Sequence, residues 1–272
     1  MAAVVLALAV LLPVARAQGP PVALVDGAGE QDLIAHHLGA AGFGVCRAAD
    51  GCSKAGTKLM WSRDPAVPAV LEAGQLFNHF PGMEWITSKP LLSALSRAEG
   101  SGMGFVPLSA IADGDLDRMY GTGSLPAGKR WVVKAGTHRG VEVLDSLPAR
   151  EALQQRLRDG YIVQEMVPSP LKVDGSAFDL GVYVLVSDMG GGDAKVQVYE
   201  DVLLRFARGK GDGAVVGGDY LPSWEMPSLS KLMEGPEGLS AYAALTAHLA
   251  ASRADPAPLW GRLRAAIAAT AR

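Results

Sequence analysis

A lysine at the end of an apolar strand is the first candidate for chemistry in this chain. In "WVVKAGTHRG", Lys134 ends the apolar run, and Gly136 and Gly140 flank the turn that follows. A fixed ammonium group can bind phosphate as a point charge, and the backbone N–H groups of a glycine turn can approach phosphate oxygens closely. The spacing predicts a phosphate cradle, although ordinary surface hairpins show the same pattern.

Hydrophobic periodicity predicts the elements that must position this lysine. A strand in "PVALVDG" is followed by a helix in "EQDLIAHHLGAAG", which is the opening of an α/β unit. Further strands are predicted in "GVCRAAD" and "KLMWSR", and a short helix follows Pro90. These elements predict the α/β (α+β) fold class, with one small α/β lobe in the first hundred residues.

The longest predicted strands lie in the second half of the chain. They are "YIVQEMV", "GVYVLVSD" and "KVQVYED". The second of them is apolar on both faces, which predicts a central position in a sheet. An amphipathic helix with Leu153 and Leu157 on one face precedes these strands, and two helices are predicted near residues 239–253 and 258–271.

The composition is that of a globular protein. The chain has 272 residues, 49% of them hydrophobic, and a formal net charge of −3. This length can bury a sizeable core, and the modest negative charge creates no field that would attract nucleic acid. We therefore expect no nucleic-acid partner, and the sequence leaves the oligomeric state open.

The first seventeen residues have the pattern of a secretory signal peptide. An apolar run from Ala2 to Leu12 is followed by Ala15, Arg16 and Ala17, the small-x-small pattern of a cleavage site. The run is shorter than the roughly 20 residues that a transmembrane helix needs, so we expect no stable membrane span. The pattern predicts a secretory or extracellular protein. The alternative is a buried N-terminal helix or strand in a cytoplasmic protein.

Cysteine and histidine show no metal-site pattern. Cys46 and Cys52 could close a small loop in an oxidising compartment or remain two thiols. The five histidines are scattered, and the adjacent His36 and His37 are expected on opposite faces of a helix. We assign no metal ligand among them.

Four sequence blocks resemble the tubulin tyrosine ligase-like family of ATP-grasp enzymes. They lie between Leu59 and Trp260, in the family's order: "FNHFPGMEWITSKPLL", "WVVKAGTHRGVEV", "GYIVQEMVPSPLKVDGSAFDLGVYVLV" and "VYEDVLLRFA". The resemblance implies an ATP-grasp-like fold with truncated nucleotide-binding lobes. Its expected parts are a signal peptide at 1–17, a small N-terminal α/β lobe at 18–100, a central lobe at 101–160 and a partial C-terminal lobe at 161–272.

The resemblance also implies a nucleotide site. Lys89, in "TSKPLL", and Lys134 stand where the family has lysines that contact ATP, and Gly136 and Gly140 belong to the phosphate turn. The adenine is expected against the strand formed by Gln164, Glu165, Met166 and Val167.

Asp179 and Arg205 are the remaining residues with implied roles. Asp179 matches the aspartate of the family's "KFDLR" run, near the sugar and acceptor, and Arg205 matches a catalytic arginine that faces the phosphates or the acyl-phosphate intermediate. Ala177 and Gly181 replace the lysine and arginine of that run. About two charge-assisted contacts of roughly 1.5–3 kcal/mol each are lost as a result. We expect a divergent acceptor specificity or a weak active site.

The end of the family's magnesium site is not found in this sequence. Family members carry an aspartate and a Glu-x-Asn strand after the helix that contains Trp260, whereas this sequence ends at Arg272 and has Asn78 as its one asparagine. We therefore expect an incomplete magnesium site, which would weaken phosphoryl transfer because that reaction depends on charge stabilisation. The segment "GGDYLPSWEMPSLSKL" also replaces the family's "HLTN" segment.

Three functional hypotheses follow from the resemblance. The first is an impaired ATP-dependent carboxylate-amine ligase, with ATP and Mg²⁺ as cofactors, that adds an amino acid to a protein or peptide acceptor, which is tubulin in the family. In such a ligase ATP phosphorylates a carboxylate, and an amine then attacks the acyl phosphate. The second is a catalytically inactive module that binds nucleotide or peptide, and the third is a fragment from an incomplete gene model. The sequence leaves open which amino acid is added.

Overall fold

The computed structural model describes residues 3–6, 20–26, 30–62, 71–72, 74–120, 128–135, 141–188, 194–208, 220–252 and 254–271. The chain divides into two compact units, Val10–Ser88 and the combination of Met1–Ala9 with Lys89–Arg272. The predicted lobes divide at residues 100 and 160 instead, and that finer division stays a prediction. Within the described ranges, every helix is too short or too polar to cross a bilayer.

Strands and helices are both present, which confirms the α/β class. In chain order the strands are β1 (Ala3–Leu6), β2 (Val22–Val25), β3 (Gly44–Arg47), β4 (Leu59–Trp61), β5 (Leu76–Phe77), β6 (Ser109–Ala110), β7 (Trp131–Ala135), β8 (Val141–Leu144), β9 (Tyr161–Glu165), β10 (Lys172–Val173), β11 (Ser176–Asp188), β12 (Ala194–Ala207) and β13 (Tyr220–Pro222). The helices are α1 (Glu30–Ala40), α2 (Glu84–Thr87), α3 (Lys89–Leu95), α4 (Asp113–Tyr120), α5 (Arg150–Arg158), α6 (Pro227–Met233), α7 (Ala241–Ala251) and α8 (Ala257–Thr270).

The unit Val10–Ser88 is built on a parallel sheet with the strand order β3-β2-β4-β5. Helix α1 connects β2 to β3, so the strand-helix opening predicted from sequence is confirmed. The central strand β2 is apolar and buried at Ala23, Leu24 and Val25. Cys46 at the end of β3 forms a disulfide with Cys52, with their Cα atoms 6.2 Å apart.

Asn78, the single asparagine, has a structural role in this unit. Its side-chain amide donates to the carbonyl oxygen of Ser62 at 2.9 Å, and its Oδ1 accepts from the backbone N–H of Ser62, also at 2.9 Å. The side chain therefore continues the pairing of β4 with β5 beyond the ends of both strands. His79 adds a contact from Nε2 to the same carbonyl oxygen at 2.8 Å.

The larger unit contains a sheet with the order β1-β11-β12-β13, and β10 also pairs with β11. The position of β11 between two neighbours confirms the prediction that this strand is central. Leu204 and Phe206 of β12 are fully buried, and so are Leu229 of α6 and Leu245 of α7. Helices α6, α7 and α8 thus cover one face of this sheet.

A second sheet in the same unit is antiparallel, with the order β6-β9-β7-β8. Its core contains Trp131 and Val133 of β7 together with Leu153 and Leu157 of α5. The two leucines are the ones that the helical periodicity predicts on the buried face. This sheet carries Lys134, so its strand pairing determines the surroundings of that lysine.

The sequence analysis missed helix α6. Pro227 at its first position is the local start signal, but the residue before it, Met226, forms no side-chain cap. The cap comes instead from Asp174, whose carboxylate accepts from the Ser228 backbone N–H at 2.9 Å and from the Ser228 hydroxyl. A capping residue 54 positions away cannot be recognised from local sequence.

Only part of the predicted signal peptide is described. Ala3–Leu6 forms β1 and pairs in parallel with residues 181–184 of β11. Residues 7–17 lie outside the described ranges. The signal peptide and the secretory location therefore stay predictions.

Candidate functional site

The alternation of side chains along β7 determines the position of Lys134. Trp131 and Val133 enter the core of the antiparallel sheet. Because successive side chains of a strand point to opposite faces, Val132 and Lys134 lie on the other face. Val132 is paired with Gln164 across the strand pair β7–β9, which places Gln164 on the same face as Lys134 and diagonal to it.

A chain of hydrogen bonds connects Lys134 to two other strands. Its Nζ donates to Gln164 Oε1 at 2.7 Å, and Gln164 Nε2 donates to Ser109 Oγ at 2.8 Å. The Ser109 hydroxyl in turn donates to the Pro107 carbonyl oxygen at 2.8 Å. Gln164 and Ser109 are each only 5% exposed, so these contacts lie inside the fold.

The surroundings of Lys134 disfavour its charged form. Burial first, and the positive charge of Lys89 second, lower the pKa of Lys134 from its ordinary 10.5 to about 8. Lys89 is the first residue of α3. The described neighbours of Lys134 on the same face include Val132 on its own strand, Val141 on β8, and Ile162 and Gln164 on β9. An anion bound beside Lys134 would stabilise its ammonium group and offset the charge of Lys89.

The residues predicted to contact adenine are held by the antiparallel sheet. The backbone N–H groups of Glu165 and Met166 donate to Leu108 and Arg130 carbonyl oxygens, both at 2.8 Å. Val167 is 48% exposed. The side chain of Glu165 forms an ion pair with Lys129 at 2.7 Å, which the sequence analysis missed. The adenine contact stays a prediction.

Asp179 and Arg205 form a separate pair on the other sheet of this unit. Their Cα atoms are register partners on β11 and β12. Arg205 donates from Nε to Asp179 Oδ1 at 2.7 Å and from Nη2 to Oδ2 at 2.9 Å, and its guanidinium lies 5.9 Å from the ring centroid of Tyr220. The arginine that sequence predicts to be catalytic thus has a bidentate carboxylate partner.

Gly181 lies two residues beyond Asp179, and so on the same face of β11. A Cβ atom at this position would lie 3.2 Å from the Cβ of Leu203, its partner on β12. Real Cβ contacts are rarely that short, so a side chain at position 181 would require a shift of the two strands. The absence of the family's arginine at position 181 therefore agrees with the close strand spacing.

The structure brings together only part of the predicted site. Lys134 and Gln164 are in contact, and the charge of Lys89 acts on Lys134, whereas Asp179 and Arg205 pair on a different sheet. Gly136 and Gly140 lie outside the described residues. Ser109 was missed, because a small residue in a two-residue strand carries no sequence signal of its contact with Gln164.

No described part of the chain brings together three His, Cys, Asp or Glu side chains that could hold a metal ion. Lysine ammonium groups are suited to binding phosphate, and the contact of Lys89 and Lys134 with the phosphates of ATP stays a prediction. The expectation of an incomplete magnesium site stays a prediction.

Sequence comparison finds relatives in one family. The sequence model of the "Tubulin-tyrosine ligase family" matches residues 69–212, just over half of the chain. The chain is 27% identical over 199 residues to the "Probable tubulin polyglutamylase ttll-15" of Caenorhabditis elegans, covering 70% of this chain and 36% of that protein. It is 28% identical over 156 residues to the "Tubulin monoglutamylase TTLL4" of Homo sapiens, covering 53% of this chain and 12% of that protein. The chain thus spans a minor part of both relatives.

Solved structures give more distant similarities. The C-terminal domain of K. lactis Pby1, described as an ATP-grasp enzyme that interacts with the mRNA decapping enzyme Dcp2, has a TM-score of 0.48 and 17% identity, covering 92% of this chain and 74% of that chain. N5-carboxyaminoimidazole synthetase from Staphylococcus aureus has a TM-score of 0.42 and 11% identity, covering 70% of this chain and 55% of that chain.

The lowered pKa of Lys134 predicts a specific dependence of stability on pH. The folded chain releases this proton near pH 8 and the unfolded chain near 10.5, so between these values the unfolded chain binds more protons and stability rises with pH. Relative to Lys134→Met, the free energy of unfolding of the parent should rise by roughly 2 kcal/mol between about pH 7 and pH 10. This is less than the full pKa shift would give, because the Lys134 side chain keeps some solvent contact. Urea denaturation at several pH values measures this difference.

The matched control is Lys195→Met, on the exposed part of β12. Its unfolding free energy should stay within about 0.5 kcal/mol of the parent's across the same range. Parallel stability curves for the parent and Lys134→Met would show that Lys134 is not held in a disfavoured charged state.

Proposed function

Because this chain belongs to the tubulin-tyrosine ligase family, we propose that it is the nucleotide-binding part of an ATP-dependent ligase that attaches an amino acid to a protein acceptor. The observation that carries this proposal is the partly buried Lys134 on β7, which is hydrogen-bonded to Gln164 at 2.7 Å and is acted on by the charge of Lys89 at the start of α3. The proposal assigns the phosphates of ATP to the surroundings of Lys134.

The physical argument concerns the charge on Lys134. Its ammonium is held partly out of water, and Lys89 adds a like charge. The hydrogen bond to Gln164 Oε1 stabilises the ammonium. A polyphosphate bound beside it would add negative charge, favour the protonated state of Lys134 and offset its repulsion from Lys89. ATP is the polyphosphate that the family relationship favours.

The reaction would join a carboxylate to an amine while ATP is cleaved to ADP and phosphate. The two relatives named above are a probable polyglutamylase and a monoglutamylase of tubulin. We therefore propose glutamate as the added amino acid and a glutamate-rich protein tail, of the tubulin type, as the acceptor. In this proposal the described residues hold the nucleotide, and parts of the acceptor site lie elsewhere.

The Asp179–Arg205 pair supports a second candidate, a module that binds ATP without turnover. Arg205 is engaged at both Nε and Nη2 by one carboxylate, so its charge is already compensated. Ala177 and Gly181 supply no replacement cation on β11, and a side chain at position 181 would require Leu203 to shift by a few tenths of an ångström. The first candidate requires Arg205 to leave Asp179 during the reaction, whereas the second does not.

Nucleotide binding is tested by calorimetry of the purified chain with ATP and Mg²⁺. We expect the parent to bind ATP and Lys134→Ala to bind at least about tenfold more weakly, because a charge-assisted contact to phosphate is lost. Lys195→Ala removes an exposed lysine near the start of β12 in the same unit, and its affinity should stay within about twofold of the parent's. An unchanged affinity in Lys134→Ala, or no binding by the parent, would refute the phosphate assignment.

Release of ADP distinguishes the two candidate functions. With ATP, Mg²⁺, glutamate and a glutamate-rich peptide, the ligase hypothesis predicts ADP formation that requires both glutamate and the peptide. The binding module predicts bound ATP that remains intact over the same period. Arg205→Lys, which keeps the charge but loses the bidentate geometry, should reduce turnover under the ligase hypothesis and leave ATP affinity nearly unchanged.

A further inference from the structure

We infer that Ser109 is a positioning residue for the nucleotide site: its hydroxyl fixes the Gln164 amide so that the amide oxygen faces the ammonium of Lys134. The identity of the ligand, ATP, rests on the proposed function. Its geometric basis is the hydrogen-bonded chain from Lys134 through Gln164 to Ser109 and Pro107. Ser109 itself touches neither phosphate nor substrate in this account.

The direction of each hydrogen bond in this chain is determined. An ammonium group only donates, so Gln164 must present its oxygen to Lys134. The NH₂ end of the amide then points to Ser109 Oγ, which has to accept. It is able to accept because its own hydrogen is donated to the Pro107 carbonyl oxygen. If the amide were reversed, its NH₂ would face an ammonium and the Lys134 contact would be lost.

Burial restricts the Gln164 amide to one orientation. Ser109 and Gln164 are register partners across β6 and β9, and each is 5% exposed. Water therefore has little access to replace a missing partner, and a buried polar group without a partner is costly. With Ser109 present, a single amide orientation satisfies both ends of the Gln164 side chain.

Strand β6 also contacts the segment that follows the helix of Lys89. Arg97, two residues beyond α3, donates from Nη1 to the Ser109 carbonyl oxygen at 3.2 Å. Arg97 also pairs with Asp115 at 3.5 Å, and the Asp115 carboxylate accepts from the backbone N–H groups of Ile111 and Ala112 at 2.9 and 3.0 Å. Strand β6 thus connects the Gln164 amide with the segment that follows the Lys89 helix.

Loss of the Ser109 hydroxyl has a predictable electrostatic effect. Without its anchor, the Gln164 amide no longer holds its oxygen on Lys134, so the protonated form of that lysine loses stabilisation. The pKa of Lys134 should then fall below the value of about 8 in the parent. Near that pH fewer molecules would carry the phosphate-binding charge. At lower pH the lysine is protonated in both proteins, and the difference should shrink.

The experiment combines a lysine titration with ATP binding, using the full chain. Lysine side chains are labelled with ¹³C and titrated by NMR without nucleotide, and the Lys134 signal is assigned by its absence in Lys134→Arg. In Ser109→Ala the Lys134 midpoint should move to lower pH, and ATP affinity near pH 8 should fall about tenfold, close to the effect of losing a hydrogen bond to a charged group. Near pH 6 the loss of affinity should be within about threefold.

Two further variants separate positioning from general destabilisation. Ser109→Thr retains the hydroxyl and should restore the Lys134 midpoint. Ser223→Ala removes a serine that is also 5% exposed but lies beside the other sheet, and should leave both the midpoint and the affinity unchanged. If Ser109→Ala were poorly folded, Gln164→Met, which removes the amide but keeps a similar volume, should lower the Lys134 midpoint in the same direction.

The outcomes distinguish this inference from the proposed function. A Lys134 midpoint that is the same in the parent, Ser109→Ala and Gln164→Met would overturn the positioning role, even if ATP binds. A shifted midpoint in a chain that does not bind ATP would support the hydrogen-bonded chain and refute the nucleotide assignment. A loss of ATP affinity that is equal at pH 6 and pH 8 would show that Ser109 acts through structure alone.

Discussion

The hydrogen bond from Lys134 Nζ to Gln164 Oε1 is the contact on which the account of this protein depends. It forms because β7 and β9 are antiparallel neighbours whose register places both side chains on one face. On the other face of β7, Trp131 and Val133 pack into the core. The Lys134 side chain therefore cannot move to that face without disrupting the core. The strand pairing thus forces a lysine into partly buried surroundings, where its charge is costly without an anion.

Arg205 and Lys134 lie in different surroundings on the two sheets of the larger unit. On the β11–β12 sheet, Arg205 meets the Asp179 carboxylate in a bidentate ion pair, and its charge is compensated within the fold. Lys134 is hydrogen-bonded to the Gln164 amide, and burial together with the charge of Lys89 lowers its pKa. The first arrangement resembles a structural ion pair, whereas a bound anion would stabilise the charged form of the lysine. This contrast is why nucleotide binding is better supported than catalysis.

Strong local periodicity made much of the fold predictable from sequence. Leu153 and Leu157 marked the buried face of α5, and the apolar run of β11 indicated a central strand. Lys134 was recognised because it ends an apolar run and is followed by a glycine turn. The missed features depend on residues distant in sequence: α6 is capped by Asp174, and Ser109 meets Gln164 55 positions away. A pattern read along the chain contains neither contact, and the lowered pKa of Lys134 likewise arises from burial that only the folded chain creates.

Covalent labelling at the phosphate position tests the central claim most directly. An acyl-phosphate derivative of ATP transfers its acyl group to lysine amines that lie beside the bound phosphates, and peptide mass spectrometry identifies the labelled residues. The account predicts labelling of Lys134 and Lys89 that excess ATP suppresses, while exposed Lys195 shows no ATP-sensitive labelling. Labelling of Lys134 and Lys89 that is no greater than that of Lys195, or that excess ATP does not reduce, would contradict the assignment of this region to the phosphates of ATP.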